Sequence, residues 1–191
     1  MFLAFAVALF AGLHLIAAVP PLKAGLQQRL GKVYGPAFGI GSLVSLVLVV
    51  LAWQSADRPA VYDPPDWGFR AALALNFVAC LFLGLFIFRG RMRQIVRFPL
   101  AIAVMLWATA HLIANGDGAS VILFGGFLLY GVSHLLLGLA NGVLPAPEVR
   151  QGHDAMSLLS GVALYGVLIQ LHAHLFGIAL FSIDDLSILA R

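Results

Sequence analysis

The chain has 191 residues, 62% of them hydrophobic and 10% charged, with a formal net charge of +3. Soluble domains carry about 25% charged residues, so this composition, with a mean hydropathy of +1.01, excludes a water-soluble core and predicts a single all-α membrane domain over residues 1–191. The basic residues fall in short polar segments, a pattern of membrane topology and not of a nucleic-acid surface.

Six apolar segments follow in chain order: Met1–Val19, Ala37–Trp53, Phe69–Phe88, Pro99–Ala114, Ala119–Asn141 and Ala155–Phe181. About 20 helical residues cross a hydrocarbon core of roughly 30 Å, so these runs predict a polytopic bundle of about six transmembrane helices. They are continuous, whereas barrel strands would alternate. Met1–Val19 contains no Lys or Arg, exceeds a signal-peptide apolar core and stops at Pro20-Pro21; a retained first helix is expected. The fourth run is short and is expected to begin earlier, near Gln94. Cys80 lies inside the third run and reads as a small packed residue.

Loop charges give an orientation. The first loop carries Lys23, Arg29 and Lys32, and the third carries Arg89, Arg91, Arg93 and Arg97. The second holds Asp57, Asp63 and Asp66 against Arg58, the fourth is only Asn115-Gly116-Asp117-Gly118, and the tail holds Asp184 and Asp185. Because Lys and Arg stay cytoplasmic, loops one and three are predicted inside and both termini on the outer, periplasmic side of a bacterial inner membrane. Trp53 and Trp67 fall where an outer aromatic belt is expected. Pro59, Pro64 and Pro65 predict an extended second loop, and Pro145 and Pro147 do the same for the fifth. Gly39, Gly41, Gly125, Gly126 and Gly131 read as close helix packing.

Four of six histidines lie within or near the ends of spans: His14, His111, His134 and His172. His174 sits near the outer end of the last helix and His153 in a cytoplasmic loop. A buried imidazole in hydrocarbon needs a hydrogen-bond partner, a cavity or a metal. No acid lies well inside a span, which argues against a proton-coupled carrier. Two imidazoles from different helices facing across a gap would suit haem iron. No Cys-x-x-Cys-His for covalent haem attachment occurs, and no His/Cys spacing suits zinc. Depth, counted along each helix, puts His14 roughly 7 Å and His134 about 10 Å from the cytoplasmic edge, with His111 about 18 Å or more from it and His172 in the outer half. Depth alone pairs His14 with His134, and His111 with His172. Structural inter-helix hydrogen bonds, as in a transporter or assembly factor, are the alternative use of these rings.

The run Trp107-Ala-Thr-Ala-His111-Leu-Ile-Ala-Asn115-Gly116-Asp117, followed by Phe124-Gly125-Gly126, resembles the NnrU family of bacterial membrane proteins. His14 with Arg29 and Tyr34, and His172 with Leu175-Phe176-Gly177, support the resemblance. The family is named from a link to denitrification and nitric oxide metabolism and is similar to plant zeta-carotene isomerases. The resemblance implies a membrane haem b protein with His14 and His111 as axial ligands, a redox or cis-polyene isomerase-like role or an accessory one, and a hydrophobic small molecule or redox partner. His134 and His172 are the alternative ligands. Trp107 would wall the haem pocket beside His111, and Arg29 or Arg97 would meet a propionate or anchor lipid. Two positions depart from the relatives: Phe98 stands where they carry a His before the proline, and Ala108 where the isomerases carry a Cys three residues before the ligand.

Overall fold

The computed structural model describes residues 1–144, 149–176 and 180. Its elements are α1 (Phe2–Leu15), α2 (Pro20–Leu30), α3 (Tyr34–Gln54), α4 (Gly68–Ile87), α5 (Met92–Ile95), α6 (Pro99–Ala114), α7 (Gly118–Ala140) and α8 (His153–Phe176), with short 3-10 turns at Ile16–Ala18 and Gly31–Val33. No strand occurs among the described residues. An isolated bridge joins Ala60 to Asp117. The run Pro20–Gln54 and the helices at Gly68–Ile87, Gly118–Ala140 and His153–His174 are long and apolar enough to cross a membrane, while Phe2–Leu15 and Pro99–Ala114 are shorter apolar helices. The chain is a helical membrane protein. Pro145, Pro147, Gly177, Asp184, Asp185 and the expected end of the last run at Phe181 lie outside the described residues.

Two boundaries differ from expectation, and proline explains both. The first helix ends early because Val19, ahead of Pro20, is driven to an extended conformation (φ −113°, ψ 93°). Pro20 then opens α2 at its first turn, where its missing N–H costs nothing. The first loop is therefore a helix, built from Lys, Ala, Leu, Gln and Arg and stopped at Gly31 (φ 53°). Helix α6 does not reach back to Gln94. That residue belongs to the separate turn α5, after which Val96 (φ −91°, ψ 96°) and Phe98 (φ −127°, ψ 58°) leave the helical region ahead of Pro99.

Packing runs in the order α3–α1–α7–α6–α4–α8. Small residues set the closest approaches. A Cβ on Gly126 would meet Val7 of α1, one on Gly131 would meet Met105 and the Ala101 carbonyl of α6, and one on Gly84 would strike the Ser157 carbonyl of α8. Gly39 and Gly125 face open space and Gly41 only touches Leu13. Cys80 is buried, its backbone carbonyl close against Gly161. The apolar core centres on Leu3, Ala6, Val7, Val49, Ala108 and Phe124, so α7, between α1 and α6, carries the middle of the molecule.

The two ends are closed by different devices. At one end, the loop after α3 lies as a strap on the α6–α7 turn. Val61 and Tyr62 N–H groups donate to the Gly116 carbonyl at 2.8 and 3.1 Å, and the Gly118 N–H donates to Pro59 at 2.8 Å. The Tyr62 hydroxyl donates to the carbonyls of Leu112 and Asn115. At the other end, which carries Arg89, Arg91, Arg93 and Arg97, the loop after α4 grips the start of α8. Asp154 accepts the Arg91 and Met92 N–H groups at 3.1 and 2.9 Å, His153 Nδ1 accepts the Arg89 N–H at 3.1 Å, and Arg150 N–H donates to the Arg89 carbonyl at 2.8 Å.

Candidate functional site

His14 and His111 use the same local bond. His14 Nδ1 lies 2.7 Å from the Phe10 carbonyl and His111 Nδ1 2.8 Å from the Trp107 carbonyl, each four residues back in its own helix. A carbonyl only accepts, so both Nδ1 atoms carry the proton and both Nε2 atoms keep a lone pair. That is the tautomer in which imidazole binds a metal through Nε2, with its other nitrogen fixed by a second-shell acceptor.

Aromatic rings surround both residues. His14 stacks on Phe10 at 4.0 Å between centroids and meets Phe38 and Tyr130 edge-on at 5.7 and 6.3 Å. His111 stacks on Phe124 at 4.4 Å, with Trp107 tilted beside it at 5.2 Å. Trp107 thus walls the His111 ring, at the strap end. His14 and His111 are not brought face to face. They are linked through Phe10, Phe127 and Trp107, with centroid steps of 5.3 Å from Phe10 to Phe127 and 5.5 Å from Phe127 to Trp107.

Tyr130 meets both His14 and His134 edge-on, at 6.3 and 5.8 Å between ring centroids. The buried Nδ1 of His134 has no hydrogen-bond partner. His174 is exposed and His153 belongs to the α8 clasp.

Arg29 is exposed in the last turn of α2, while Arg97 Nε donates to the Val143 carbonyl and its guanidinium lies 5.4 Å from the Phe98 ring centre. Phe98, in place of the relatives' histidine, is buried and packs where Gly138 leaves room for it. Ala108 is fully buried in the central core. Trp53, expected at a lipid boundary, packs on Phe124 at 5.9 Å under the Arg58 guanidinium at 4.2 Å; Trp67 is exposed.

Sequence reasoning missed Phe10, Phe127, Tyr130 and Tyr62, and had Phe124 only as part of the Phe124-Gly125-Gly126 motif. Phe10 and Tyr130 had a signal in the sequence, since Phe10/His14 and Tyr130/His134 are i, i+4 pairs and so share helix faces. Tyr62 had none, because its bonds span 50 and 53 residues.

The NnrU protein family model matches residues 2–180. The chain belongs to the NnrU family. No curated protein and no solved structure matches it. Among the described residues of this NnrU chain, no three His, Cys, Asp or Glu side chains gather as a metal cage.

Proposed function

We propose that this NnrU-family chain is a six-span protein of the bacterial inner membrane, both termini outside, that binds haem b through intramembrane imidazole and serves as a redox component of nitrogen-oxide metabolism. The observation that carries this reading is the His14 geometry. Its Nδ1–H is fixed on the Phe10 carbonyl, its Nε2 lone pair is left for a ligand, and the ring sits among Phe10, Phe38 and Tyr130. An apolar, aromatic setting of this kind governs the potential of a bound iron as strongly as the ligand does. Haem would supply one-electron chemistry there. The protein residues fix the imidazole tautomer, exclude water and, through Phe10, Phe127 and Trp107, join the two ends of the bundle by an aromatic column.

The orientation is supported by the packing of the ends. The arginine-rich third loop meets Arg150 of the fifth, and the acidic second loop meets the fourth, which is the alternation that six crossings require. Helices α1 and α6, at about 21 and 24 Å by rise per residue, are short for a 30 Å core; the turns Ile16–Ala18 and Met92–Ile95 extend their reach.

A second reading, a haem-dependent cis-polyene isomerase, is favoured by an apolar groove of about 280 Å³ along the α1–α7 seam that reaches Tyr130. It would admit an extended hydrophobic molecule from the bilayer.

The test is an absorbance spectrum of detergent-purified protein, oxidised and dithionite-reduced. A Soret band with reduced α and β bands is expected. Its absence after haem reconstitution would sink both readings and leave the histidines as structural groups. Turnover of a cis-polyene by the reduced protein separates the second reading from the first.

A further inference from the structure

Residues 1–56 contain three cations, Lys23, Arg29 and Lys32, and no Asp or Glu. None of the three has a carboxylate partner among the described residues. Arg29 and Lys32 are exposed and Lys23 is half-buried. No residue of α2 is buried, so the protein itself covers little of this helix.

An apolar groove of about 150 Å³ lies between α2 and the adjoining ends of α1 and α3. Leu13 and Ile16 wall it from α1 and the turn that follows, Leu26 and Leu30 from α2, and Tyr34 and Ala37 from α3. Tyr34 stacks on Phe38, also in the wall, at 6.1 Å between centroids. Its hydroxyl has no hydrogen-bond partner among the described residues, and the other lining side chains are hydrocarbon.

Helical periodicity sets charge along the rim. Around α2, Lys23 falls about 20° from Leu30 and Arg29 about 60° from Leu26, so both cations flank the two leucines of the wall. Hydrocarbon walls, flanking cations and an interfacial tyrosine match a molecule with an alkyl chain and an anionic head. The bilayer around a membrane protein supplies such molecules.

We infer that the α1–α2–α3 groove binds one anionic phospholipid. Its acyl chain lies on Leu13, Leu26 and Leu30, and its phosphate is held by Lys23 and Arg29, with Lys32 adding to the field. The inference is independent of the haem reading.

The test is native mass spectrometry of the delipidated protein in detergent, titrated with phosphatidylglycerol or with phosphatidylcholine of the same acyl chains. Size-exclusion profile and helical circular dichroism serve as fold controls. One phosphatidylglycerol per chain is expected, with phosphatidylcholine bound about tenfold more weakly. Lys23→Gln combined with Arg29→Gln should lower phosphatidylglycerol affinity about 25-fold, at about fivefold per cation, and leave phosphatidylcholine unchanged. Ala37→Trp fills the groove with every charge kept and should abolish the single adduct. Leu30→Gln makes the wall polar without added bulk and should weaken it. Both positions are exposed, so the fold should tolerate either change. Arg150→Gln removes an exposed cation elsewhere and should alter nothing.

A loss in Arg150→Gln as large as in the double variant would reduce the preference to net charge and overturn the site. A phosphatidylglycerol preference that survives both Ala37→Trp and Leu30→Gln overturns it too, since the head alone is then attracted. Equal binding of the two lipids overturns the anionic ligand.

Discussion

At the strap end, the polar groups around His111 are matched within the protein. His111 Nδ1–H donates to Trp107, the Asn115 side chain donates to the His111 carbonyl at 2.9 Å, Tyr62 serves two carbonyls of the last turn, and Asp117 caps α7 by accepting the Ser120 N–H at 3.0 Å. At the other end of the aromatic column, His14 makes the same bond to its own helix, yet the neighbouring His134 keeps a buried nitrogen without a partner. The strap end therefore has the character of a structural closure, while the His134 end keeps one buried polar atom unmatched. A closure loses stability when its parts are altered. A region with an unmatched buried polar atom gains stability when that atom is removed.

Gly116→Ala should have the largest effect. Its new Cβ would run into the Tyr62 carbonyl, which is backbone and cannot swing away. The strap must lift, at a cost of about 3 kcal/mol, in the range of overpacking. A lowered thermal midpoint in detergent and fast chymotryptic cleavage at Tyr62 would show it. Gly125→Ala, where the added methyl meets nothing within 4 Å, should leave both unchanged or slightly improved. Equal behaviour of the two variants would refute the strap as a closure.

The next pair addresses the contrast itself. Without cofactor, His134→Leu should stabilise the protein by about 1–2 kcal/mol, because it removes a buried nitrogen that bonds to nothing. His111→Leu should destabilise it by a similar amount, because a fixed, stacked ring is lost. Thermal melts of the cofactor-free proteins decide this; a destabilised His134→Leu would mean that the nitrogen has a partner in solution. At the arginine-rich end, Asp154→Ala strands the Arg91 and Met92 N–H groups and should cost about 1–2 kcal/mol, read from the same melts.

How much of this was legible beforehand follows from the range of each interaction. The long apolar runs were readable because a helix in lipid satisfies its own backbone and so announces itself locally. Helix α2 was not, since Lys23, Gln27, Gln28 and Arg29 read as loop by polarity, although Pro20 and Gly31 were start and stop signals in plain view. Of the site, the histidines were visible as polar residues in apolar runs, and counting depth set His14 with His134 and His111 with His172. Motif likeness alone joined His14 to His111 and carried no distance. The Tyr62 strap stayed hidden because nothing near Tyr62 in sequence encodes a bond to Leu112. Asn115-Gly116-Asp117 was readable as a turn, but not as the platform that the strap lies on.

Asp117 gives the smallest effect and the sharpest sign. Burial alone would raise its pKa, but hydrogen bonds from the Ser120 hydroxyl and N–H, with the Arg58 charge, outweigh burial and hold it below the ordinary carboxylate value. A carboxyl whose folded-state pKa lies below its unfolded one stabilises the fold above the unfolded value, about 4, and that contribution disappears as pH falls through the folded value. The strap end should therefore loosen in acid, with cleavage of the second loop by an acid-tolerant protease rising below about pH 4. Asp117→Asn keeps a capping oxygen and should flatten that acid response while leaving stability at neutral pH nearly unchanged, whereas Asp117→Ala loses the cap and about 1 kcal/mol at every pH. Among the described residues no such carboxylate contact reaches His14 or His134, so the spectrum of a haem held there should not follow the strap through this transition. If haem were released in step with strap opening, the two ends would be coupled through the Phe10–Phe127–Trp107 column and could no longer be treated as separate devices.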